Sequence, residues 1–166
     1  MRTFRRFLLG AVFCLPMVAC AAGEGPLVLP DEATIEAAFG EGVEAEVSGN
    51  LVRLTVQMPE GFERGGSLWA KSGPYFYLFT TATRDLFAGY EDIAALEVSA
   101  VTEEGVEVAR ARLLRTDLNA ITWRRALAYA SQAQTEGTES PGHVDRLVRW
   151  GEDIAEHEYN PDFVPR

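Results

Sequence analysis

The stretch Ser67–Tyr90, SLWAKSGPYFYLFTTATRDLFAGY, decides the fold, because it separates two segments that read as β-hairpins and is itself legible in two ways. As a strand, Tyr75 to Phe79 would be apolar on both faces. As a helix, Leu68, Ser72, Tyr75, Phe79, Ala82, Leu86 and Tyr90 fall on one stripe, with Trp69, Phe76, Thr83 and Phe87 beside it. The helical spacing accounts for more residues, so a helix is expected, with Pro74 starting or kinking it and Gly89 ending it. Most of its aromatic side chains are then core. Tyr77, off the stripe, is expected to be the exposed one and a candidate for a binding groove.

Upstream, VEAEVSGNLVRLTVQM (43–58) alternates as strands do. Val43, Ala45 and Val47 oppose Glu44 and Glu46; Val52, Leu54, Val56 and Met58 oppose Arg53, Thr55 and Gln57. Gly49-Asn50 between them is a hairpin turn, since both residues tolerate positive φ. Downstream, IAALEVSAV (93–101) and VEVARARLL (106–114) form a second hairpin, with Leu96, Val98, Ala100, Ala109, Ala111 and Leu113 on the core side.

Three further helices complete the pattern. Asp31 caps EATIEAAF, with Gly40 or Gly42 as the stop. Thr116-Asp117 caps a helix over 118–133, with Leu118, Ile121, Ala128 and either Trp123 or Leu127 inward. Ser140-Pro141 opens a last helix with Val144, Leu147, Val148, Gly151, Ile154 and Ala155 on one stripe. The resulting order is αββαββαα, an α+β domain over 31–158 with a four-stranded antiparallel sheet, helices on one face, and a tail at 159–166. The open face would carry Glu44, Glu46, Arg53, Thr55, Gln57, Glu97, Ser99, Arg110 and Arg112. This order resembles that of secretion-chaperone-like α/β folds, which bind polypeptides, a fold-level likeness that implies no function by itself.

The N-terminus carries an address. Arg2, Arg5 and Arg6 precede an apolar run from Phe7 to Leu15, then Pro16 and small residues, the grammar of an export signal. The run is shorter than the ~20 residues needed to span a bilayer. Met17-Val18-Ala19-Cys20 resembles the lipobox of bacterial lipoproteins, with Met17 where that family usually has leucine. The resemblance implies cleavage after residue 19, acylation of Cys20 and a tether over 20–30. Ala21 lacks the acidic residue that retains some lipoproteins at the inner membrane, so the periplasmic face of the outer membrane is the implied address. Ala19-Cys20-Ala21 also fits ordinary signal peptidase, which would release a soluble periplasmic or secreted protein.

The only cysteines are Cys14 and Cys20, so residues 21–166 hold no disulfide, thiol nucleophile or Cys-based metal site. The net charge of −10 becomes −13 if the leader, with three arginines and no acids, is removed. Such a chain is repelled by phosphate backbones, so no nucleic-acid partner is expected. No G-x-S-x-G, H-E-x-x-H, P-loop or G-x-G-x-x-G occurs. His143 and His157 fall on one expected helix, about 21 Å apart, too far to share a metal ion.

Three functional classes follow. The first is a lipid-anchored, non-enzymatic envelope protein that binds another protein or a peptide, with Arg53, Arg110, Arg112, Arg124, Arg125 and Tyr77 as the candidate face and no cofactor or metal. The second is a small hydrolase using carboxylates or a divalent cation, with Asp153, Glu156 and His157 as candidates. The third is a lipid or small-solute carrier, which requires a cavity of roughly 300 Å³ or more between helices and sheet.

Overall fold

The computed structural model describes residues 26–165. The leader and Cys20 lie outside the described residues. Helix α1 (Glu32–Phe39) starts where its cap predicts: the Asp31 carboxylate accepts the Thr34 N–H at 2.7 Å, and hydrogen bonding from the Thr34 side chain, then from its backbone, holds the Asp31 pKa below the ordinary carboxylate value. It stops at Gly40, whose φ of 96° suits a residue without Cβ. Strands β1 (Val43–Ser48) and β2 (Leu51–Gln57) then pair antiparallel around Gly49-Asn50.

The deciding stretch is helical, in three pieces. After a 3₁₀ turn at Phe62–Gly65 come α2 (Gly66–Ser72), α3 (Tyr75–Leu78) and α4 (Thr81–Gly89). Gly73-Pro74 makes the first break. Thr80 makes the second, and its hydroxyl caps the restarted helix by accepting the Thr83 N–H at 3.2 Å. Glycine is required at 73, because a Cβ there would lie 2.6 Å from Met58 Sδ and 2.8 Å from Ala100 Cβ. The breaks let the chain follow the sheet surface, with Tyr75, Leu78 and Phe79 at most 1 % exposed.

Strands β3 (Ala95–Val101) and β4 (Glu107–Leu114) form the second hairpin, with a bulge after Ala100. The expected four-stranded antiparallel sheet is corrected in two respects. First, β3 lies parallel to β2, with Leu54 opposite Val98. The helical connection returns the chain to the end where β2 began, and a crossover of this kind joins strands that run the same way. Second, a fifth strand, β5 (Glu156–Tyr159), pairs antiparallel with β4, giving the order β1-β2-β3-β4-β5. EHEY carries no apolar alternation, so nothing local marked it as a strand; the free edge of β4 supplies its hydrogen bonds.

Helices α5 (Ala120–Glu136) and α6 (Pro141–Ile154) pack on each other. The cap of α5 is Asn119, in a capping box with Thr122, rather than Thr116-Asp117. Its buried stripe is Ala126, Ala130 and Ala133, while Ile121 and Ala128, expected inside, are exposed. Small side chains at i, i+4 and i+7 bring two helices close, and that contact outweighs the hydrophobicity of Ile121. The stripe expected on α6 holds at Val144, Leu147, Val148, Gly151 and Ala155. The C-terminal residues are docked: Asn160 donates to the Glu107 carbonyl at 2.8 Å, and the Phe163 ring packs tilted against Phe62 with centroids 5.7 Å apart.

The core face of the sheet consists of Val52, Leu54, Val56, Leu96, Val98, Ala100, Ala109, Ala111 and Leu113, all at most 1 % exposed. The edge at β1 is protected from α1, where Glu36 accepts the Ala45 N–H at 3.1 Å and Glu32 the Val47 N–H at 3.4 Å. These carboxylates satisfy amides that would otherwise template another strand.

Candidate functional site

Two places on the domain gather chemistry. The first is the open face of the sheet, where the register sets Glu46, Arg53, Glu97, Arg112 and Glu156 directly opposite one another across all five strands. Charges alternate along this row. Arg53 lies 3.7 Å from Glu46 and 3.3 Å from Glu97; Arg112 lies 2.5 Å from Glu97 and 3.7 Å from Glu156. Glu97 is the centre, with only 8 % of its side chain exposed between two guanidinium groups. One register step away, Arg110 binds Glu158 at 2.6 Å and approaches Glu107 at 3.7 Å, and the hydrogen bond to Glu158, then the charge of Glu107, raises its pKa. Every arginine of this face is already matched by a carboxylate. An anion would have to displace a carboxylate held at short range.

The second place is a cavity of about 530 Å³ beyond the end of β2, bounded by the last turn of α1, by α2 to α4 and by Gln134 of α5. Phe39, Met58, Trp69, Phe76 and Tyr77 wall it, and the Trp69 and Phe76 rings lie 6.2 Å apart. Its polar atoms are few and largely engaged with backbone. Ser72 donates to the Trp69 carbonyl at 2.8 Å, Thr80 to the Tyr77 carbonyl at 3.0 Å, and Gln134 to the Phe76 carbonyl at 3.4 Å. Burial raises the Tyr77 pKa, so its phenol stays neutral. Among the described residues, no acid, lysine, arginine or histidine lines the cavity, although 24 % of the chain is charged. Such a lining desolvates an apolar molecule at little cost and offers no general base.

The six residues of the candidate face do not form one surface. Arg53, Arg110 and Arg112 meet on the open sheet face, whereas Arg124 and Arg125 stand on α5 and Tyr77 lines the cavity. Arg125 stacks over Trp150, 5.3 Å from the ring centre. The hydrolase candidates are also dispersed: Asp153 belongs to α6, while Glu156 and His157 belong to β5. The two histidines are therefore not on one helix, and His143 sits 3.1 Å from Glu136 instead. Among the described residues, no three His, Cys, Asp or Glu side chains converge to hold a metal ion.

Sequence reasoning placed Glu97 on the open face but missed its burial between two arginines, because a lone Glu in an apolar strand reads as a solvated residue until both neighbouring strands are placed. It also missed the cavity, whose walls read as core at helical spacing; the residues Met58-Pro59 at the end of β2 were the one local sign that the strand ran out beneath them. No family model, curated protein or solved structure matches the chain.

Proposed function

We propose that this is a non-enzymatic, membrane-anchored binding protein of the cell envelope, held by acylated Cys20 and taking an uncharged, largely apolar molecule in the cavity walled by Phe39, Met58, Trp69, Phe76 and Tyr77. The observation that supports it is the lining: about 530 Å³ of concave, aromatic and charge-free surface in a strongly acidic chain. Its volume falls within the range of small-molecule sites, roughly 300–1,000 Å³. Tyr77 and Gln57 orient the ligand through neutral hydrogen bonds, and the aromatic rings supply contact area. The paired arginines of the open sheet face support peptide capture less well, because a partner there must first break existing ion pairs.

Titration with Nile red, a neutral apolar dye, tests the site. A saturable rise in emission is expected, and Ala38→Trp, which places an indole at the rim from an exposed position of α1, should weaken binding at least tenfold. Absence of binding, or binding unaffected by Ala38→Trp, rejects the cavity as the site. The anchor is tested separately by the intact mass and membrane partition of the chain expressed with its own leader. A membrane-bound species beginning at acylated Cys20 is expected. A soluble species beginning at Ala22 rejects the anchor and leaves the cavity reading standing.

A further inference from the structure

Among the described residues, five large hydrophobic side chains are exposed: Leu27, Val28, Val106, Leu114 and Ile121. Val106 sits at the tip of the β3–β4 hairpin. The other four gather at the opposite end, where β2 and β3 begin and β4 ends. The Val28 N–H is bound by Asp92 at 2.7 Å, just before β3, and Leu114 is the last residue of β4, paired with Ala95. Ile121, 64 % exposed, opens α5 a few residues later. Four of the five exposed aliphatic side chains thus share one end of the domain, and such a cluster marks a contact surface.

Beside them runs a groove of about 480 Å³ between α4 and α5. Phe87, Trp123 and Leu127 supply apolar lining, and among the described residues the charged ones of the lining are Arg84, Arg115 and Arg124, without an acid. Arg115 is committed to the fold, since its guanidinium binds the carbonyls of Phe87, Tyr90 and Ile93 and closes the C-terminal end of α4. Arg84 pairs with its exposed neighbour Asp85 at 2.8 Å. Arg124 is exposed and makes no ion pair among the described residues. An apolar trough under two exposed arginines is complementary to an anionic amphiphile, with hydrocarbon on the rings and head group between the guanidiniums. Only six residues lie between Cys20 and Leu27, so the two are at most about 25 Å apart.

We propose that this end of the domain is a membrane-docking face: Leu27, Val28, Leu114 and Ile121 enter the interface of the bilayer that carries the anchor, and an anionic lipid head group seats between Arg84 and Arg124. The inference rests on the anchor reading for its geometry, since a lipid on Cys20 brings this end within reach of the surface and points the cavity at the far end of the sheet toward the periplasm. Two signals, a lipid anchor and a docking face, hold a protein at a membrane better than either alone.

The test fixes a polarity-sensitive fluorophore at Ile121→Cys, or at Val106→Cys as the opposite end, in full-length chain carrying Cys14→Ala and Cys20→Ala. Both label sites are exposed, so neither disturbs packing. With vesicles of phosphatidylcholine and phosphatidylglycerol, the label at 121 should shift to the blue and the label at 106 should not. Arg84→Glu with Arg124→Glu should abolish the shift at 121 while circular dichroism stays unchanged. Equal shifts at the two positions, no shift at 121, or a shift produced only by monomeric dodecyl phosphate would each overturn the docking face. Because Cys20 is absent from the labelled protein, these outcomes are independent of acylation, which the intact-mass measurement decides.

Discussion

The two faces of the sheet are built by alternate residues of the same strands, and they solve opposite problems. On one face Val52, Leu54 and Val56 of β2 continue into Leu96, Val98 and Ala100 of β3 and disappear beneath the helices. On the other, Arg53 of β2 continues into Glu97 of β3 and Arg112 of β4 as a row of matched charges. The charged face looks like a binding surface in the sequence, yet its groups are engaged with one another. The helix layer looks like plain core, yet it leaves a cavity at the end of β2. Unspent binding capacity thus lies where the charges are absent, because a group already paired at short range gains little from a second partner.

Substitutions on the two faces sharpen this contrast. The largest effect is expected on the core side: Leu54→Ala, at a position 1 % exposed, should cost about 3 kcal/mol in urea unfolding, through lost burial and the cavity left behind. Glu97→Ala should follow at about 2 kcal/mol, since it leaves Arg53 and Arg112 facing each other without their shared carboxylate. The value is set below that of a fully buried pair because both arginines are about two-fifths exposed. Glu46→Ala and Glu156→Ala, at the solvated ends of the same row, should each cost under about 0.5 kcal/mol. If the end glutamates matter as much as Glu97, the row is a uniform surface network and the contrast fails.

Between these extremes lies the hydroxyl pair of Tyr75 and Tyr159, 2.8 Å apart where α3 meets β5. Removing it with Tyr75→Phe should cost about 1 kcal/mol. Burial raises both phenol pKa values above the ordinary one. The folded chain therefore keeps protons that the unfolded chain releases above about pH 10, so the pair's contribution is complete below that pH and declines as pH rises beyond it. Urea midpoints measured at pH 8 and pH 11 should fall for the wild type and fall less for the double variant Tyr75→Phe, Tyr159→Phe. An equal fall in both would show that other groups carry the alkaline sensitivity.

Much of the fold was legible because it is encoded locally. The Gly49-Asn50 turn, the alternation of β2 and β4, the Asp31 cap and the stripe of α6 each depend on residues within a few positions of one another. The helical reading of Ser67–Tyr90 belongs with them, although Gly73-Pro74 and Thr80 divide it into three. What escaped depended on partners distant in sequence. The strand β5 exists because β4 presents an open edge to it, and Ile121 faces solvent because the alanines of α5 make the closer contact with the rest of the helix layer. The burial of Glu97 and the place of the cavity escaped for the same reason: Glu97 is enclosed by arginines 44 and 15 residues away, and the cavity is walled by α1 and α2 to α4 together.

By itself, then, the sequence determined the α+β class, the two hairpins with their inward and outward residues, and the helical connection between them, since periodicity and turn chemistry act over a few residues. Only the tertiary structure decided that β2 and β3 run parallel, that a fifth strand closes the row of charges, and that the aromatic segment leaves a charge-free cavity instead of filling its space. Those outcomes depend on which distant surfaces meet and how closely their volumes match, and no local pattern of residues carries that information.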